Sequence, residues 1–517
     1  MAVKLIMLVV FFGIMVGVGF YCRKHATDVN GFVLGGRAVG PWLTAFAYGT
    51  TYFSAVIFVG YAGQFGWKYG IASTWIGLGN AFIGSLLAWV VLGRRTRIMT
   101  QHLESATMPE FFGKRFQSNP LKIAASFIVF IFLIPYTASL YNGLSRIFSM
   151  AFPLDYSVCV IIMAVLTGVY VIAGGYMATA INDFIQGIIM VFGIVAIIWA
   201  VLHQNGGFTE AFSSLAKVTD PAVTDTPGIF ASFFGADPIN LLSVIILTSM
   251  GTWGLPQMVQ KFYAIKSEKA IEKGTIISTI FALVVAGGCY FLGGFGRLYA
   301  DKLDVVKGAP TGGFDTIIPK MMENLPVFLV GIMIILVLSA SMSTLSGLVM
   351  ASSSTLTIDF IKGNIVKNMS DKKQVLVIRV LIVVFILISA VIAIFQYKNN
   401  VTFIAQLMGV SWGALAGAFL APFLYGLYSK RTTKLSVWVC FIFGTGIMVL
   451  NLLFKSHFPK FLASPINCGA FAMVAGLVIV PFLSAFNRKK VSADVEDMFK
   501  CYDEKVLVPA TEALGDE

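Results

Sequence analysis

Apolar runs of about 20 residues, separated by short polar stretches, recur along the whole 517-residue chain. A helix of that length spans the roughly 30 Å hydrocarbon core of a bilayer. The pattern therefore predicts an all-α polytopic membrane protein that sits in the lipid bilayer. We expect thirteen spans, at residues 3–21, 42–66, 70–93, 121–149, 156–175, 183–203, 238–259, 275–297, 326–357, 374–396, 401–428, 434–454 and 464–486.

Composition agrees with this interpretation and excludes two other classes of protein. Hydrophobic residues make up 57% of the chain and charged residues only 12%, and the mean hydropathy is +0.84. That leaves too little polar surface for a soluble protein of this length. The net charge of +12 does not indicate a nucleic-acid partner, because the basic residues stand in short loops.

Basic residues mark one set of alternate loops, and such loops face the cytoplasm. They cluster at 94–97, 261–273, 362–373 and 488–490. The longest loop of the other set, 204–237, carries four acidic residues and one lysine. The bias predicts a multi-pass protein of the cell membrane, with the N-terminus outside and the acidic C-terminal tail in the cytoplasm.

Two spans contain residues that weaken a helix. The second carries "AYGTTYFSA" (47–55) and the seventh carries "TSMGTWGLPQ" (248–257). Glycine and proline free backbone carbonyls, which inside a membrane need a cavity or an ion as partner. Broken spans at matching places are typical of inverted-repeat transporters. The alternative is that small residues only allow close helix packing.

The two breaks lie five spans apart, which predicts a core of five plus five spans. The predicted organisation is a peripheral first span in 1–27, a first repeat in 28–204 (spans 2–6), a second repeat in 205–430 (spans 7–11), peripheral spans 12 and 13 in 431–490, and a cytoplasmic tail in 491–517.

The ninth span carries an unusual number of hydroxyls in "SASMSTLSG" (339–347). Ala340, Ser343 and Thr344 follow the i, i+3, i+4 spacing that places residues on one helical face. Hard cations prefer oxygen ligands, so two hydroxyls and a carbonyl on one face indicate an ion site. Free carbonyls near Thr50 and Phe53, in the broken second span, would complete it. The alternative is that the hydroxyls serve helix packing.

Asp183, in "TAINDFIQG", is an ionisable residue at the predicted cytoplasmic start of the sixth span. Carboxylates near a span often mark an ion path. An aspartate at a helix start also caps the helix. Both roles are compatible.

Other functional classes find little support in the sequence. The four histidines lie at span ends or in loops and stand outside any H-E-x-x-H pattern, so we do not expect an enzyme. A membrane sensor would need a signalling domain, and a passive channel could not accumulate its solute.

The sequence resembles the sodium:solute symporter family over roughly residues 28–490. The similarity is carried by "VLGGRAVGPWLTAFAYGTTYFSA" (33–55), "VYVIAGGYMATAINDFIQG" (169–187), "GLPQMVQKFYAIKSEKAIEKG" (254–274) and "LSASMSTLSG" (338–347). The resemblance implies the five-plus-five inverted-repeat (LeuT-like) fold and co-transport of Na⁺.

Carried over by position, the resemblance implies two ion positions. The first has as sodium ligands the carbonyls of Thr50, Phe53 and Ala340 and the hydroxyls of Ser343 and Thr344. A possible second sodium would use three side chains. These are Asp183, Ser343 and Ser346, although Gly347 stands where family members with this site have another serine.

The resemblance also implies a small organic solute, imported by alternating access and bound beside the breaks. The substrate-binding candidates are polar or aromatic residues near the breaks, namely Ser54, Asn80, Tyr136, Thr248, Thr252, Trp253 and Gln406. An amino acid such as proline and a carboxylate such as pantothenate both remain open, because Tyr136 matches the proline symporters but Tyr52 replaces their aspartate. A sugar or sialic acid and a non-transporting sensor are the alternatives. The sequence leaves the oligomeric state open.

Overall fold

The computed structural model describes residues 2–152, 155–223, 226–366, 368–399, 404–486 and 491–503. Most of the predicted tail, together with the basic cluster at 488–490 and the start of the predicted eleventh span, lies outside these residues. The described chain is almost entirely helical, as the apolar pattern predicts.

Ten described helices are long and apolar enough to cross a bilayer, and a pair bent by 41°, Pro238–Trp253 with Pro256–Ala264, makes an eleventh segment. Two of the ten, Val56–His102 and Tyr156–Gln204, contain 47 and 49 residues. Straight helices of that length would measure about 70 Å, more than twice the bilayer core. Each is interrupted once by a glycine outside the helical region, at Gly70 (φ 60°, ψ −139°) and Gly175 (φ 57°, ψ −146°). Divided there, eleven segments become the thirteen predicted.

The helices that build the spans are, in chain order, Ala2–Tyr21, Pro41–Tyr52, Val56–Tyr61, Ala62–Tyr69, Gly70–Ser73, Thr74–Gly79, Asn80–Leu87, Trp89–Gly93, Arg94–His102, Asn119–Ala151, Tyr156–Gln204, Pro238–Met250, Gly251–Trp253, Pro256–Ala264, Glu268–Ala282, Leu283–Gly287, Gly288–Gly293, Val327–Thr355, Leu356–Ile361, Asp371–Asn399, Ile404–Tyr428, Lys434–Leu453 and Pro465–Ala485. Short helices in the connections are Cys22–His25, Val29–Leu34, Gly35–Arg37, Met108–Arg115, Phe208–Lys217, Ile229–Ala231, Gly296–Lys302, Phe314–Thr316, Ile317–Met322, Lys362–Asn364, Lys455–His457 and Ala493–Lys500. Strands Val305–Val306 and Ala309–Pro310 form one antiparallel hairpin.

Burial separates central spans from peripheral ones. In the most apolar stretch of the ninth span 78% of residues are buried, and in the eleventh 94%, against 22% in the first. The first span thus faces its surroundings, whereas the hydroxyl-bearing ninth span is enclosed by protein. The ninth span packs on the second, fourth, fifth, sixth and tenth, so its polar atoms can meet only other protein groups or a ligand. The division into two repeats remains a prediction.

The second span breaks four residues after the expected glycine. Helix Pro41–Tyr52 ends at Phe53, which is extended (φ −82°, ψ 118°), and the helix resumes beyond Ser54. Gly49 itself lies in the helix. Packing favours glycine at this position, because a Cβ there would lie 2.3 Å from the Phe281 ring. The seventh span breaks where predicted, between Trp253 and Pro256.

Gly175 allows a sensitive test of the hairpin between the fifth and sixth spans. Its backbone conformation is essentially reserved for glycine, and a Cβ would lie 2.9 Å from the Phe32 carbonyl oxygen. We expect Gly175→Ala to destabilise the protein by about 3 kcal/mol or more, and to lower the thermal unfolding midpoint in detergent.

Gly446→Ala is the matched control, because that glycine lies in a helix and a Cβ there meets nothing within 4 Å. It should leave the unfolding midpoint unchanged or raise it slightly. Equal unfolding midpoints for the two variants would contradict the assignment of a helix break at Gly175.

Candidate functional site

The break in the second span exposes backbone carbonyls at the centre of the protein. A helix end leaves its last carbonyls without the amides of a following turn, and here the helix ends at Tyr52. Thr50 and Phe53 lie in this last turn and are fully buried. Buried carbonyls need a partner, and the facing ninth span supplies hydroxyls.

Five oxygens converge where the two spans meet. The Ser343 hydroxyl oxygen lies 3.1 Å from the Thr50 carbonyl oxygen and 3.3 Å from that of Ala340. The Thr344 hydroxyl oxygen lies 3.3 Å from the carbonyl oxygen of Thr50 and 3.4 Å from that of Phe53. It also lies 3.0 Å from the Ala340 carbonyl oxygen. The structure thus brings together all five residues predicted for the first sodium position.

The five approaches in this cluster cannot all be hydrogen bonds at the same time. It contains five close hydroxyl–carbonyl approaches, but two hydroxyls carry only two protons. If Ser343 and Thr344 both donate to the Ala340 carbonyl of their own helix, a common arrangement, then the carbonyls of Thr50 and Phe53 receive no proton from them. The cluster contains five oxygen atoms and only two hydroxyl protons, and such a group of oxygens is chemically suited to binding a cation.

The spacing of the oxygens also fits a cation. Hard cations such as Ca²⁺, which is close to Na⁺ in size, hold oxygen ligands at about 2.4 Å. Two such ligands at right angles are about 3.4 Å apart, close to the 3.0–3.4 Å measured here. All five residues are fully buried, so no bulk water competes with their oxygens.

Asp183 lies inside the sixth span and does not cap it, because the helix already resumes after Gly175. Its carboxylate oxygen lies 3.6 Å from the ammonium nitrogen of Lys261, and both side chains are at most 3% exposed. Sequence reasoning missed this lysine, which is separated from Asp183 by 78 positions. Of the other residues predicted for a second sodium, Ser343 belongs to the five-oxygen cluster, and Ser346 donates to the Ser343 carbonyl at 2.8 Å.

Three of the predicted solute-binding residues keep polar atoms that find no partner among the residues the structure describes. They are the Ser54 hydroxyl, the Tyr136 hydroxyl and the amide nitrogen of Asn80. The first two face each other beside the break at close to hydrogen-bonding distance. A polar ligand would complete the hydrogen bonds of these groups, whose burial without good partners costs about 1–3 kcal/mol each.

Sequence reasoning missed three aromatic residues of the same region. The Tyr52 ring lies 5.9 Å and the Tyr136 ring 5.8 Å from the ring of Trp412. The hydroxyls of Tyr52 and Tyr290 are buried and find no hydrogen-bond partner in the described chain, and Tyr290 lies near Asn80. The sequence singles out Tyr52 only as the residue that replaces an aspartate, and Trp412 and Tyr290 look like core packing in apolar spans, so tertiary contacts were needed to place all three in this region.

The other four solute candidates have structural partners or lie elsewhere. Thr248 donates to the Val244 carbonyl of its own helix at 2.9 Å, and Thr252 donates to the Gly84 carbonyl at 3.0 Å. The Trp253 indole donates to the Ile83 carbonyl at 3.0 Å, which ties the seventh span to the third. Gln406 lines a separate cavity of about 280 Å³ with Pro135 and Asn451.

The predicted cytoplasmic side of the site is closed. The Val39 amide donates to the Ala264 carbonyl at 3.1 Å, and the Lys266 amide donates to the Val39 carbonyl at 3.0 Å. The Arg37 guanidinium, whose pKa is lowered by burial, donates to the carbonyls of Tyr263 at 3.2 Å and Ser105 at 2.6 Å. These contacts join the starting end of the second span to the final end of the seventh.

The opposite side is more open. A cavity of about 710 Å³ lies at the far ends of the same two spans. Its polar lining includes Gln64, Lys68, Asp237, Asn240 and Asn467. The protein is therefore less tightly filled on this side than on the closed one.

Buried broken helices and a central cluster of oxygens are typical of a membrane transporter. A model of the sodium:solute symporter family matches residues 32–444. The chain belongs to that family, whose members are transporters.

Relatives and a solved structure match almost the whole length of the chain. The osmoregulated proline transporter OpuE of Bacillus subtilis is 29% identical, over 92% of this chain and 94% of its own. A sodium/proline symporter of Staphylococcus aureus is 29% identical, over 96% of this chain and 95% of its own. The structure of a substrate-bound, outward-open Na⁺-coupled sialic acid symporter is 18% identical, with a TM-score of 0.74 over 95% of this chain and 99% of its own. At 18% sequence identity, this structural similarity shows that the chain has the LeuT-like transporter fold.

Arg37→Ala should open the closed side. A cysteine introduced at Thr51, which is buried next to the break, can be labelled by a membrane-impermeant maleimide in inside-out vesicles. Without the four bonds of the guanidinium, we expect several-fold faster labelling.

Arg431→Ala is the control, since it removes an exposed arginine from a loop on the same side. Labelling without the introduced cysteine gives the background. Equal rates for Arg37→Ala and Arg431→Ala would show that Arg37 does not hold this side closed.

Proposed function

We propose that the protein is a sodium-coupled symporter that imports a small amino acid, with proline as the first candidate. The observation that carries the proposal is the cluster of five oxygens with two protons. Membership of the sodium:solute symporter family and the names of the two relatives support it. The N-terminus lies outside and the C-terminus in the cytoplasm, in accordance with the positions of the basic loops.

In this proposal the sodium ion binds to the carbonyls of Thr50, Phe53 and Ala340 and to the hydroxyls of Ser343 and Thr344. It replaces the missing protons and links the broken second span to the ninth. Since Phe53 is the neighbour of Ser54 at the break, a bound ion also fixes the position of the solute site. Sodium binding thereby raises the affinity for the solute.

The solute binds beside the break through neutral groups. The hydroxyls of Ser54 and Tyr136 and the amide of Asn80 donate hydrogen bonds to its carboxylate. The amides that open the second half of the span add the positive end of a helix dipole. The rings of Tyr52 and Trp412 offer aromatic faces to the solute's ammonium group.

The transport cycle then depends on the difference between the more open side of the protein and the closed side. Sodium and solute enter from the open side, where the 710 Å³ cavity lies. Closure of that side and separation of Arg37 and Val39 from the end of the seventh span expose the site to the cytoplasm. Low cytoplasmic sodium empties the ion site, and the solute leaves.

One sodium ion provides enough driving force. A single charge that moves through 100 mV releases about 2.3 kcal/mol. At about 1.4 kcal/mol per tenfold change, this corresponds to roughly 50-fold accumulation before the sodium concentration gradient is added.

Thr344→Ala tests the ion site. It removes the hydroxyl that approaches three carbonyls, and we expect the sodium concentration for half-maximal uptake to rise at least tenfold. The measurement is uptake of labelled proline into proteoliposomes at varied external sodium, with pantothenate and sialic acid as alternative solutes.

Thr248→Ala is the matched control, because that hydroxyl donates within its own helix. It should leave the sodium dependence unchanged. Sodium-independent uptake by the parent protein, or an unchanged sodium requirement in Thr344→Ala, would refute the proposed ion site.

Tyr136→Phe tests the solute site. Loss of a hydrogen bond to a charged group costs about 1.5–3 kcal/mol, so we expect the KM for proline to rise 10- to 100-fold with little change in sodium affinity. Tyr425→Phe is the control, because the Tyr425 hydroxyl donates to the Leu477 carbonyl between the eleventh and thirteenth spans. A KM that stays the same in Tyr136→Phe would remove Tyr136 from the site.

A further inference from the structure

A buried ion pair lies apart from the five-oxygen cluster. The ammonium nitrogen of Lys261, in the second half of the broken seventh span, lies 3.6 Å from the Asp183 carboxylate. Lys261 also lies 5.1 Å from the centre of the Tyr176 ring. Charged side chains in a span are rare and serve a purpose, and the mechanism above uses neither.

Hydroxyl oxygens also lie near Asp183. Apart from the contact with Lys261, the two carboxylate oxygens accept no hydrogen bond from any residue that the structure describes. The hydroxyl of Tyr170 donates to the Met342 carbonyl at 3.0 Å, and lies near both Asp183 and Ser346. Without Lys261 this would be an anionic, oxygen-lined position suited to a monovalent cation.

We propose that Lys261 is the built-in counter-cation of Asp183, and that it excludes a second sodium ion and limits coupling to one ion per cycle. The proposal rests on the proposed function. A sodium ion on Asp183 would lie next to the ammonium group, and two positive charges at that distance repel strongly in a buried site. Because the lysine is covalently attached, it neutralises Asp183 without being carried across the membrane.

The proposal gives Lys261 a role that is not only structural. Replacement by methionine keeps the length of the side chain and removes its charge. Asp183 then has no cation, and sodium can take its place on the carboxylate and the nearby hydroxyls. Gly347 supplies no hydroxyl to this position, so we expect the new site to be weaker than the first.

The experiment is equilibrium binding of ²²Na⁺ to the purified full-length protein in detergent, which requires no knowledge of the solute. The parent protein should bind one sodium ion per chain. Lys261→Met should bind two, with the second site weaker. The double variant Asp183→Asn/Lys261→Met restores a neutral pair and should again bind one.

Ser343→Ala/Thr344→Ala separates this inference from the proposed function. It should lose the single ion of the parent protein, and failure to do so would contradict the proposed sodium site. Two ions bound by the parent protein would overturn the role of Lys261 whether or not any variant folds. One ion bound by a folded Lys261→Met protein would overturn it as well.

Discussion

One contact lies at the centre of the structure, between the carbonyls released at the break in the second span and two hydroxyls of the ninth. Thr50 and Phe53 belong to a helix end that has lost its next turn, and Ser343 and Thr344 face it from a span enclosed by protein. The two hydroxyl protons can serve only two of the five close approaches at a time. In the proposed mechanism a sodium ion binds all five oxygens, so that the contact between the two spans depends on ion occupancy.

Neighbouring parts of the structure hold this contact between the second and ninth spans in place. Gly49 lets the eighth span approach so closely that a Cβ would collide with Phe281, and the backbone bridge between Val39 and Ala264 fixes the end of the seventh span. The break is therefore held from several sides. In the proposed mechanism ion binding at Phe53 acts on Ser54 through the chain itself, so no longer path is needed to couple ion and solute.

Charge is handled in two ways inside the same protein. The five-oxygen site is uncharged, and in the proposed mechanism it binds a cation that can leave again. Asp183 is charged, and its cation is attached to the chain. Two unit charges about 4 Å apart repel by about 4 kcal/mol at an effective dielectric constant of 20, which is more than the energy from one charge crossing 100 mV. A neutral ion site together with a neutralised carboxylate is thus consistent with transport driven by one sodium ion.

Much of the fold and the grouping of the five oxygens could be predicted from the sequence, because they depend on local patterns. Apolar runs locate the spans, and the i, i+3, i+4 spacing of Ala340, Ser343 and Thr344 places them on one face. The position of the break could not be predicted, since Gly49 serves packing and the chain opens at Phe53. The Lys261 partner of Asp183 and the Tyr52–Trp412 contact also escaped prediction, because they join residues far apart in sequence.

The most direct test is a pair of high-resolution structures of the protein, one in sodium chloride and one in choline chloride. The account predicts a density peak about 2.4 Å from the five oxygens in sodium. In choline the peak should be absent, with a longer distance between the second and ninth spans. A sodium peak elsewhere, or the same five-oxygen geometry without a peak in both salts, would contradict it.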